Sequence, residues 1–269
     1  MIPYAEVIGH PIGHSKSPLI HQFWLDRLGI AARYQACDIA PEKLGDYFAE
    51  RRNDPNWRGC NITIPHKMES LEYVADPGEL RNSIGAINIV FRDEEGVLTG
   101  TNSDAGGFYG PIADLPLVGE TAIVVGAGGA ARAVLFALAQ ADIGEVVLLA
   151  RNGLRAAALL AHFGLKGRVL PLDARLPEAA LLVNASPLGM KGQDPLNLDL
   201  APLPDEAVVY DLVYAPIETG LLKTARARNL ETVDGLEMLV GQAAIAFELF
   251  FGHAPPTDGE DELREKLLA

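Results

Sequence analysis

The stretch that decides the fold reads Ile123-Val124-Val125-Gly126-Ala127-Gly128-Gly129-Ala130-Ala131-Arg132. Apolar residues typical of a buried strand lead into a glycine turn of the form GxGGxA, and a helical pattern follows. The first glycine permits a tight turn, the second lets backbone N–H groups approach a diphosphate, and a small third residue lets the helix pack close to the sheet. The unpaired N–H groups and the positive dipole end of that helix favour an anion.

A second strand pattern, Glu145–Ala150, comes after the helix. A glycine turn can also serve packing alone, but the succession strand, turn, helix, strand is typical of a dinucleotide-binding unit. The sequence therefore predicts that the diphosphate of a dinucleotide is held by Gly126, Ala127, Gly128, Gly129 and Ala130.

The end of the second strand indicates which dinucleotide binds. Units that bind NAD usually place Asp or Glu there to hold the ribose 2′-OH. This chain instead has Arg151 and Asn152, with Arg155 one helical turn further on. Two guanidinium groups suit the 2′-phosphate of NADP. We predict NADP(H) as the cofactor, held in part by these three residues; the alternative is that both arginines are ordinary surface charges.

Composition narrows the class of protein. Of 269 residues 49% are hydrophobic and 22% charged, which suits folded domains rather than disorder. The formal net charge of −14 argues against a nucleic-acid partner, because a phosphate backbone would be repelled. Cys37 and Cys60 form no CxxC pair. No stretch approaches the roughly 18 uncharged apolar residues of a membrane helix, and no signal-peptide pattern is present, so we expect a cytoplasmic protein with no membrane partner.

Strand and helix patterns alternate along the chain, which indicates an α/β protein of two domains. We expect a mixed-sheet α/β domain at residues 1–104, because the Asp93–Gly96 turn signals a hairpin. A Rossmann-like, doubly wound domain should occupy residues 105–235. Helices are predicted at Pro18–Leu28 after a Ser17 cap, from about Lys67 to Ala75, and at Leu236–Phe251.

Polar residues cluster at three predicted strand ends of the first domain. Ser15 and Ser17 lie at or just before a helix start, where both hydroxyls can donate to a carboxylate; the plainer reading makes Ser17 only an N-cap. Lys67 lies at a predicted helix start, where a cation is unfavourable, so it is a candidate for proton transfer; the alternative is an ordinary solvent-facing lysine. Asp104, just before the domain junction where a cleft is expected, could pair with Lys67.

The histidines raise the question of a metal. His10, His14, His21 and His66 lack a nearby acid or thiol in sequence that would complete a ligand set, so we expect no metal site.

Taken together, these segments resemble the shikimate dehydrogenase family over nearly the whole chain. The resemblance rests on motifs that occur in the family's order: His14–Pro18, Asn61–Lys67, Gly85–Asn88, Asn102–Asp104, Gly126–Ala130, Asn184–Met190, Tyr210–Tyr214 and Asp234–Gln242. It implies NADPH-dependent, reversible reduction of 3-dehydroshikimate to shikimate in aromatic amino-acid biosynthesis. It also implies that the helix containing Gln242 returns to the first domain, so that residues 236–269 complete it.

The resemblance assigns roles to individual residues. Ser15 and Ser17 would bind the substrate carboxylate, and Lys67 would be the general acid, with Asp104 in the same hydrogen-bond network. The remaining substrate residues would be Thr63, Asn88 and Gln242, which hold ring hydroxyls with Asp104, and Asn61 and Tyr214, which line the pocket. Ser186 and Gly235 would join the cofactor site.

Two positions depart from the family pattern. Ile89 and Asn152 stand where threonine is usual. Ser17 favours shikimate, because relatives that also accept quinate tend to have threonine there, whereas Ile89 leaves a different cyclohexane acid open. The alternatives are therefore a quinate/shikimate-type enzyme with a shifted substrate and a metabolite-sensing module without catalysis. We expect a monomer or a homodimer.

Overall fold

The computed structural model describes residues 2–76 and 80–268. The chain divides into a first unit, Met1–Ser103 with Val240–Ala269, and a second unit, Asp104–Leu239. The boundaries expected from the sequence lay after residue 104 and before residue 236. Asp104 and residues 236–239 therefore fall in the second unit.

The elements are numbered in chain order. The strands are β1 Tyr4–Gly9, β2 Arg33–Asp38, β3 Trp57–Ile62, β4 Ile89–Arg92, β5 Leu98–Thr101, β6 Thr121–Val125, β7 Glu145–Leu149, β8 Gly167–Leu170, β9 Leu181–Asn184, β10 Val208–Asp211 and β11 Glu231–Val233. The helices are α1 Ser17–Leu28, α2 Leu44–Arg52, α3 Leu80–Ser83, α4 Asp104–Tyr109, α5 Gly129–Gln140, α6 Gly153–His162, α7 Gly220–Ala227, α8 Gly235–Phe251 and α9 Glu260–Leu268.

The first unit is built on a mixed sheet of strand order β2-β1-β3-β4-β5. β1 runs parallel to β2 and β3, whereas β3–β4 and β4–β5 are antiparallel. The hairpin expected at Asp93–Gly96 is present, since Gly96 N donates to Asp93 O at 3.0 Å between β4 and β5. The carboxyl ends of three parallel strands therefore meet at one edge of the sheet, where loops can converge on a ligand.

The core of the first unit contains a buried carboxylate. Glu6 of β1 is fully buried. Its Oε2 accepts hydrogen bonds of 2.8 Å from both the Tyr47 hydroxyl and Arg51 Nε, and its Oε1 accepts one from Gln35 at 3.1 Å. A buried charge is tolerated when it is paired and hydrogen-bonded in this way.

The second unit contains a parallel sheet of order β11-β10-β9-β6-β7-β8. From β6 the chain builds outward through β7 and β8, then returns to the other side of β6 through β9, β10 and β11, which is the doubly wound arrangement expected. Along β6, Ala122 and Val124 face one apolar cluster while Ile123 and Val125 face another. Burial on both faces explains why this strand reads as a continuous apolar run.

Helix α8 supplies aromatic residues to the core of the first unit. Phe247 and Phe250 lie near His21, with ring centroids 5.8 and 6.2 Å away. His21 stacks on Tyr34 of β2 at 3.9 Å. The helix that the family resemblance placed with the first domain thus packs there through its last two turns.

Two local predictions were wrong. The segment expected to form a helix from about Lys67 to Ala75 is a turn followed by a short 3-10 helix at Glu69–Glu72. Helix propagation stops because Ala75 pairs with the edge of β5, where its N–H donates to Leu98 O at 2.8 Å. The N-cap of α1 is Lys16 rather than Ser17, and Ser17 N donates instead to Ser15 Oγ at 3.3 Å.

Within residues 2–76 and 80–268 the structure has no helix both long and apolar enough to cross a bilayer. Nor does this part of the chain group three or more His, Cys, Asp or Glu side chains in a way that could hold a metal ion.

Candidate active site

The glycine turn joins β6 to α5 at the point where the strand order of the second sheet reverses. Gly126 has φ of +110°, which L side chains rarely adopt, and a Cβ there would lie 2.9 Å from Ala185 O. Gly128 is the extended N-cap of α5, and a Cβ built on it meets nothing within 4 Å. The turn therefore needs glycine at Gly126, and at Gly128 it leaves open space beside the first N–H groups of a helix. Such a cradle fits a diphosphate.

The N-terminus of α6 displays the cations predicted for the 2′-phosphate. Arg151 and Arg155 are both exposed. Asn152 is the N-cap, and its Oδ1 accepts a hydrogen bond of 3.0 Å from Arg155 N. Asn152 stands where the family usually has threonine, and its side chain caps the helix as a threonine hydroxyl would.

Arg132 is a residue that sequence reasoning missed. It is half-buried on the first turn of α5, and its pKa is lowered by burial and by the positive charge of Arg155. Two guanidinium groups that repel each other favour an anion between or beside them. The signal was available in the sequence, because a cation in the first turn of a helix opposes the helix dipole.

A polar brace holds the loop that follows β9. The side-chain amide of Asn184 donates to Asp211 Oδ1 and to Leu188 O, both at 2.9 Å, and its Oδ1 accepts from the Ser186 hydroxyl at 2.7 Å. Ala185 O and Ser186 Cβ are the neighbours that a Cβ on Gly126 would meet. The brace therefore sets Ser186 beside the glycine turn.

Asp211 anchors this brace from the end of β10. It is fully buried, and burial raises the pKa of its carboxyl group, while hydrogen bonds from Thr219, Val213 N and Asn184 oppose that rise. Gly235 lies close to the loop that follows β10, because a Cβ on it would come 2.5 Å from Leu212 O. The predicted cofactor residues Ser186 and Gly235 are thus each held against the ends of strands in the second sheet.

In the first unit the amides of the predicted substrate residues form one hydrogen-bonded set. Asn61 Nδ2 donates to Asn88 O, and Asn88 Nδ2 donates to Gln242 Oε1, both at 3.5 Å. Asn88 is also tied to Ser103, whose N–H donates to Asn88 Oδ1 at 2.7 Å. β3, the loop before β4 and α8 thereby bring three predicted residues together, and each of the three is buried.

The Tyr34 hydroxyl fixes the orientation of Asn61. It donates to Asn61 Oδ1 at 2.6 Å. Because the backbone carbonyl of Asn88 can only accept, the nitrogen of the Asn61 amide must face Asn88 O and its oxygen must face Tyr34. Sequence reasoning missed Tyr34, since nothing in the pattern of β2 links it to a residue on β3.

The serines and the lysine lie at the carboxyl ends of β1 and β3. Ser15 lies in the loop after β1, and Ser17 is the first residue of α1. Thr63 follows β3, and a Cβ built on Gly9 would lie only 2.6 Å from the methyl group of Thr63. Lys67 is half-buried in a turn, and its carbonyl accepts from Ile87 N at 2.8 Å. Because no α-helix begins at Lys67, the argument from an unfavourable helix dipole is wrong, although the turn still holds the lysine backbone in place.

Asp104 and Tyr214 belong to the second unit, where Asp104 is the first residue of α4 and burial raises the pKa of Tyr214. The other predicted substrate residues belong to the first unit.

Models of one known family match two segments of the chain. A model described as "Shikimate dehydrogenase substrate binding domain" matches residues 7–90, and one described as "Shikimate 5'-dehydrogenase C-terminal domain" matches residues 235–259. The "Shikimate dehydrogenase (NADP(+))" of Sphingopyxis alaskensis is 61% identical over 267 residues, which are 99% of this chain and 97% of that protein. The chain belongs to the shikimate dehydrogenase family.

Solved structures share this fold over nearly the whole length of the chain. The shikimate 5-dehydrogenase of Thermus thermophilus, in complex with NADP(H) and shikimate, has a TM-score of 0.87 and 39% identity and covers 99% of this chain and 100% of its own. The 5-ketofructose reductase of a Gluconobacter species has a TM-score of 0.89 and 27% identity, covering 100% and 98%. The family fold thus carries more than one reductase activity, and the substrate must be argued from the site.

Proposed function

We propose that this chain is an NADP(H)-dependent shikimate dehydrogenase that reversibly reduces 3-dehydroshikimate to shikimate in aromatic amino-acid biosynthesis. The observation that carries the proposal is the 61% identity, over 99% of the chain, with a relative named for this activity. The hydrogen-bonded amide set of the first unit and the glycine turn of the second support it independently.

We propose the following substrate roles. Ser15 and Ser17 bind the carboxylate, and the hydrogen bond from Ser17 N to Ser15 Oγ supports a shared orientation of the two residues. Thr63, Asn88, Asp104 and Gln242 hold ring hydroxyls, and Asn61 and Tyr214 line the pocket. The oxygen of Asn61 accepts from Tyr34 and its NH2 group donates to Asn88 O, and the oxygen of Gln242 accepts from Asn88, so buried partners fix the donor and acceptor ends of both amides. The NH2 groups of such amides suit a ligand rich in hydroxyl and carboxylate oxygens.

The cofactor residues follow from the second unit. The turn Gly126–Ala130 holds the diphosphate, and Arg151, Asn152 and Arg155 hold the 2′-phosphate. Ser186 and Gly235 belong to the same cofactor site. The exposed guanidinium groups at the start of α6, with Arg132 nearby on α5, support a dianionic rather than a neutral ribose substituent.

The reaction needs one proton at the ketone oxygen. NADPH, when bound, supplies the hydride that reaches the carbonyl carbon. Lys67 donates a proton from its ammonium group to the carbonyl oxygen as negative charge develops there, and it takes the proton back from the hydroxyl in the reverse direction. Asp104 keeps Lys67 oriented and its charge balanced. The turn that fixes the Lys67 backbone supports this role, because a proton donor must be held within hydrogen-bond reach.

Ile89 is the departure from the family pattern that bears on the choice of substrate. It is fully buried in β4, paired with Asn61 of β3 and Thr101 of β5. Directly paired residues place their side chains on the same face of a sheet, so Ile89 shares a face with Asn61, which we propose to line the pocket. We further propose that the protein works in the cytoplasm as a monomer or homodimer.

One panel tests the proposal. Purified protein is assayed with shikimate, quinate and related hydroxy acids, each with NADP+ and NAD+, by the absorbance of the reduced cofactor. The expected result is turnover of shikimate with NADP+ at the highest kcat/KM. Preference for quinate would support the shifted-substrate alternative. Shikimate-dependent thermal stabilisation without turnover would support a metabolite-sensing module instead.

A further inference from the structure

The strand β2 carries no residue of the proposed site, yet its last residue touches the loop that carries the two serines. Asp38 ends β2, and the carboxyl ends of β1 and β2 lie side by side because Gly9 pairs with Asp38 in the parallel register. The loop from His10 to Lys16 leaves β1 at that point and leads into α1. A contact that restrains this loop therefore also restrains Ser15, which lies in it, and Ser17, which directly follows it.

Both oxygens of the Asp38 carboxylate bind this loop. Oδ1 lies 2.6 Å from His10 Nδ1, and Oδ2 accepts a hydrogen bond of 3.3 Å from Ile12 N. The hydrogen bond with His10 lowers the pKa of Asp38, which keeps the carboxylate ionised at neutral pH. The carboxylate thus contacts the residues on both sides of Pro11 and restrains the turn between them. We call these contacts of Asp38 with His10 and Ile12 the clamp.

The clamp continues as a chain of hydrogen bonds to the serines. Ile12, whose N–H is held by Asp38, accepts a hydrogen bond of 3.0 Å at its carbonyl from Ser15 N. Ser15 Oγ in turn accepts from Ser17 N at 3.3 Å. These bonds connect Asp38 to the Ser15 hydroxyl and to the backbone of Ser17, so a shift of Asp38 would reach both serines.

We propose that Asp38, together with His10, is a positioning residue that sets the serine loop for the substrate carboxylate. This inference rests on the proposed function, since it assigns a purpose to the loop through Ser15 and Ser17. Asp38 itself stays outside the site and acts through the loop backbone. The buried side chain of Ile12 offers a competing anchor, because apolar burial could hold the loop without Asp38.

The side chains of the pair allow a clean test. Both are 49% exposed, so their removal opens no core cavity. We expect Asp38→Ala and His10→Ala each to raise KM for shikimate about five- to tenfold, the size of one lost hydrogen bond, while KM for NADP+ stays within twofold. The double variant should be no worse than Asp38→Ala alone, because the side chain of His10 acts on the loop through Asp38.

Rescue and control variants separate positioning from charge. In His10→Asn the amide nitrogen stands as many bonds from Cα as imidazole Nδ1, so this variant should restore KM to near the wild-type value. Asp46→Ala removes another acid of the first unit, which pairs with Lys43 at 3.2 Å on the surface, and should change nothing.

A second measurement does not depend on turnover. Hydrogen–deuterium exchange of the unliganded protein should rise in residues 10–17 of Asp38→Ala and stay unchanged in Asp46→Ala. Unchanged exchange would overturn the clamp, and raised exchange with unchanged shikimate KM would overturn its role in positioning. If the wild type fails to oxidise shikimate, the proposed function is wrong, and the exchange data still decide whether Asp38 holds the loop.

Discussion

The hydroxyl of Tyr34 and the side-chain oxygen of Asn61 form a buried hydrogen bond of 2.6 Å that fixes which end of the amide can reach a ligand. Tyr34 is 5% exposed and stacks on His21, so its ring is held independently of its hydroxyl. Removal of the hydroxyl alone should therefore release Asn61 and leave the aromatic packing in place.

Tyr34→Phe should weaken shikimate binding and reduce stability. An unsatisfied buried acceptor costs about 1–3 kcal/mol, so we expect a lower melting temperature and a shikimate KM raised about tenfold. Steady-state kinetics and thermal unfolding measure both effects. Tyr4→Phe is the matched control, because its hydroxyl donates to Asp54 at 2.8 Å near the surface of the same unit, and it should leave KM unchanged. Equal KM values for wild type and Tyr34→Phe would show that Asn61 needs no such orientation.

Lys67→Ala should remove the proton donor without removing the cofactor site. General acid catalysis contributes about 10²–10⁴-fold, so kcat should fall by that factor while the Kd of NADPH, measured by fluorescence titration, stays the same. Lys43→Ala, at an exposed lysine that pairs only with Asp46 among the salt bridges described, is the control. Near-normal turnover in Lys67→Ala would assign the proton to another group.

Arg132→Ala should impair NADP+ more than NAD+. Arg132 and Arg155 repel each other in the free protein, and a bound 2′-phosphate would relieve that repulsion. We expect a rise of about tenfold in KM for NADP+, shrinking at high ionic strength, and little change for NAD+. Arg168→Ala removes a half-exposed arginine of the same unit, which pairs with Glu145, and should affect neither cofactor. An equal loss for both cofactors would place Arg132 at the diphosphate or in the fold instead.

His21 should make the protein less stable in mild acid. Its pKa is lowered from 6.5 to about 3 by burial, and neither ring nitrogen has a hydrogen-bond partner among the described residues. The unfolded chain therefore binds a proton that the folded chain excludes. No stability is lost at pH 7, and about 1.4 kcal/mol is lost for each pH unit below 6.5 down to about pH 3.

His21→Phe keeps an aromatic ring against Tyr34 and removes both nitrogens. The difference in melting temperature between this variant and the wild type should widen as pH falls from 7 to 5. His162→Phe, at an exposed histidine of the second unit, should not reproduce that trend. Parallel pH profiles of the wild type and His21→Phe would contradict the assignment.

Much of the fold follows from local patterns in the sequence. The apolar run Ile123–Val125 predicts a strand buried on both faces, and the glycine turn predicts the helix that follows, because Gly126 needs a backbone that only glycine adopts readily. The hairpin at Asp93–Gly96 depends on four neighbouring residues. Such features need no knowledge of distant contacts.

Errors arose where distant contacts decide. The expected helix cannot extend to Ala75, because Ala75 bridges Thr99 and donates its N–H to Leu98 O, and the position of both partners depends on the whole sheet. Likewise Tyr34 reaches Asn61 only because β1 pairs with both β2 and β3 in the observed registers. Residue patterns predicted the glycine turn, the arginines, the serines and Lys67, and motif resemblance supplied the other site residues. The residues that orient them became visible only in three dimensions.

The two-segment make-up of the first unit has a consequence for biosynthesis. On the ribosome, β1 to β5 emerge first, then all of Asp104–Leu239, and only then the part of α8 with Phe247 and Phe250. Domains generally fold as units during translation. We expect the second unit to complete its core while the nascent first unit still exposes the aromatic surface around His21 and Tyr34, which leaves the first unit open to chaperones and proteases for longer than the second.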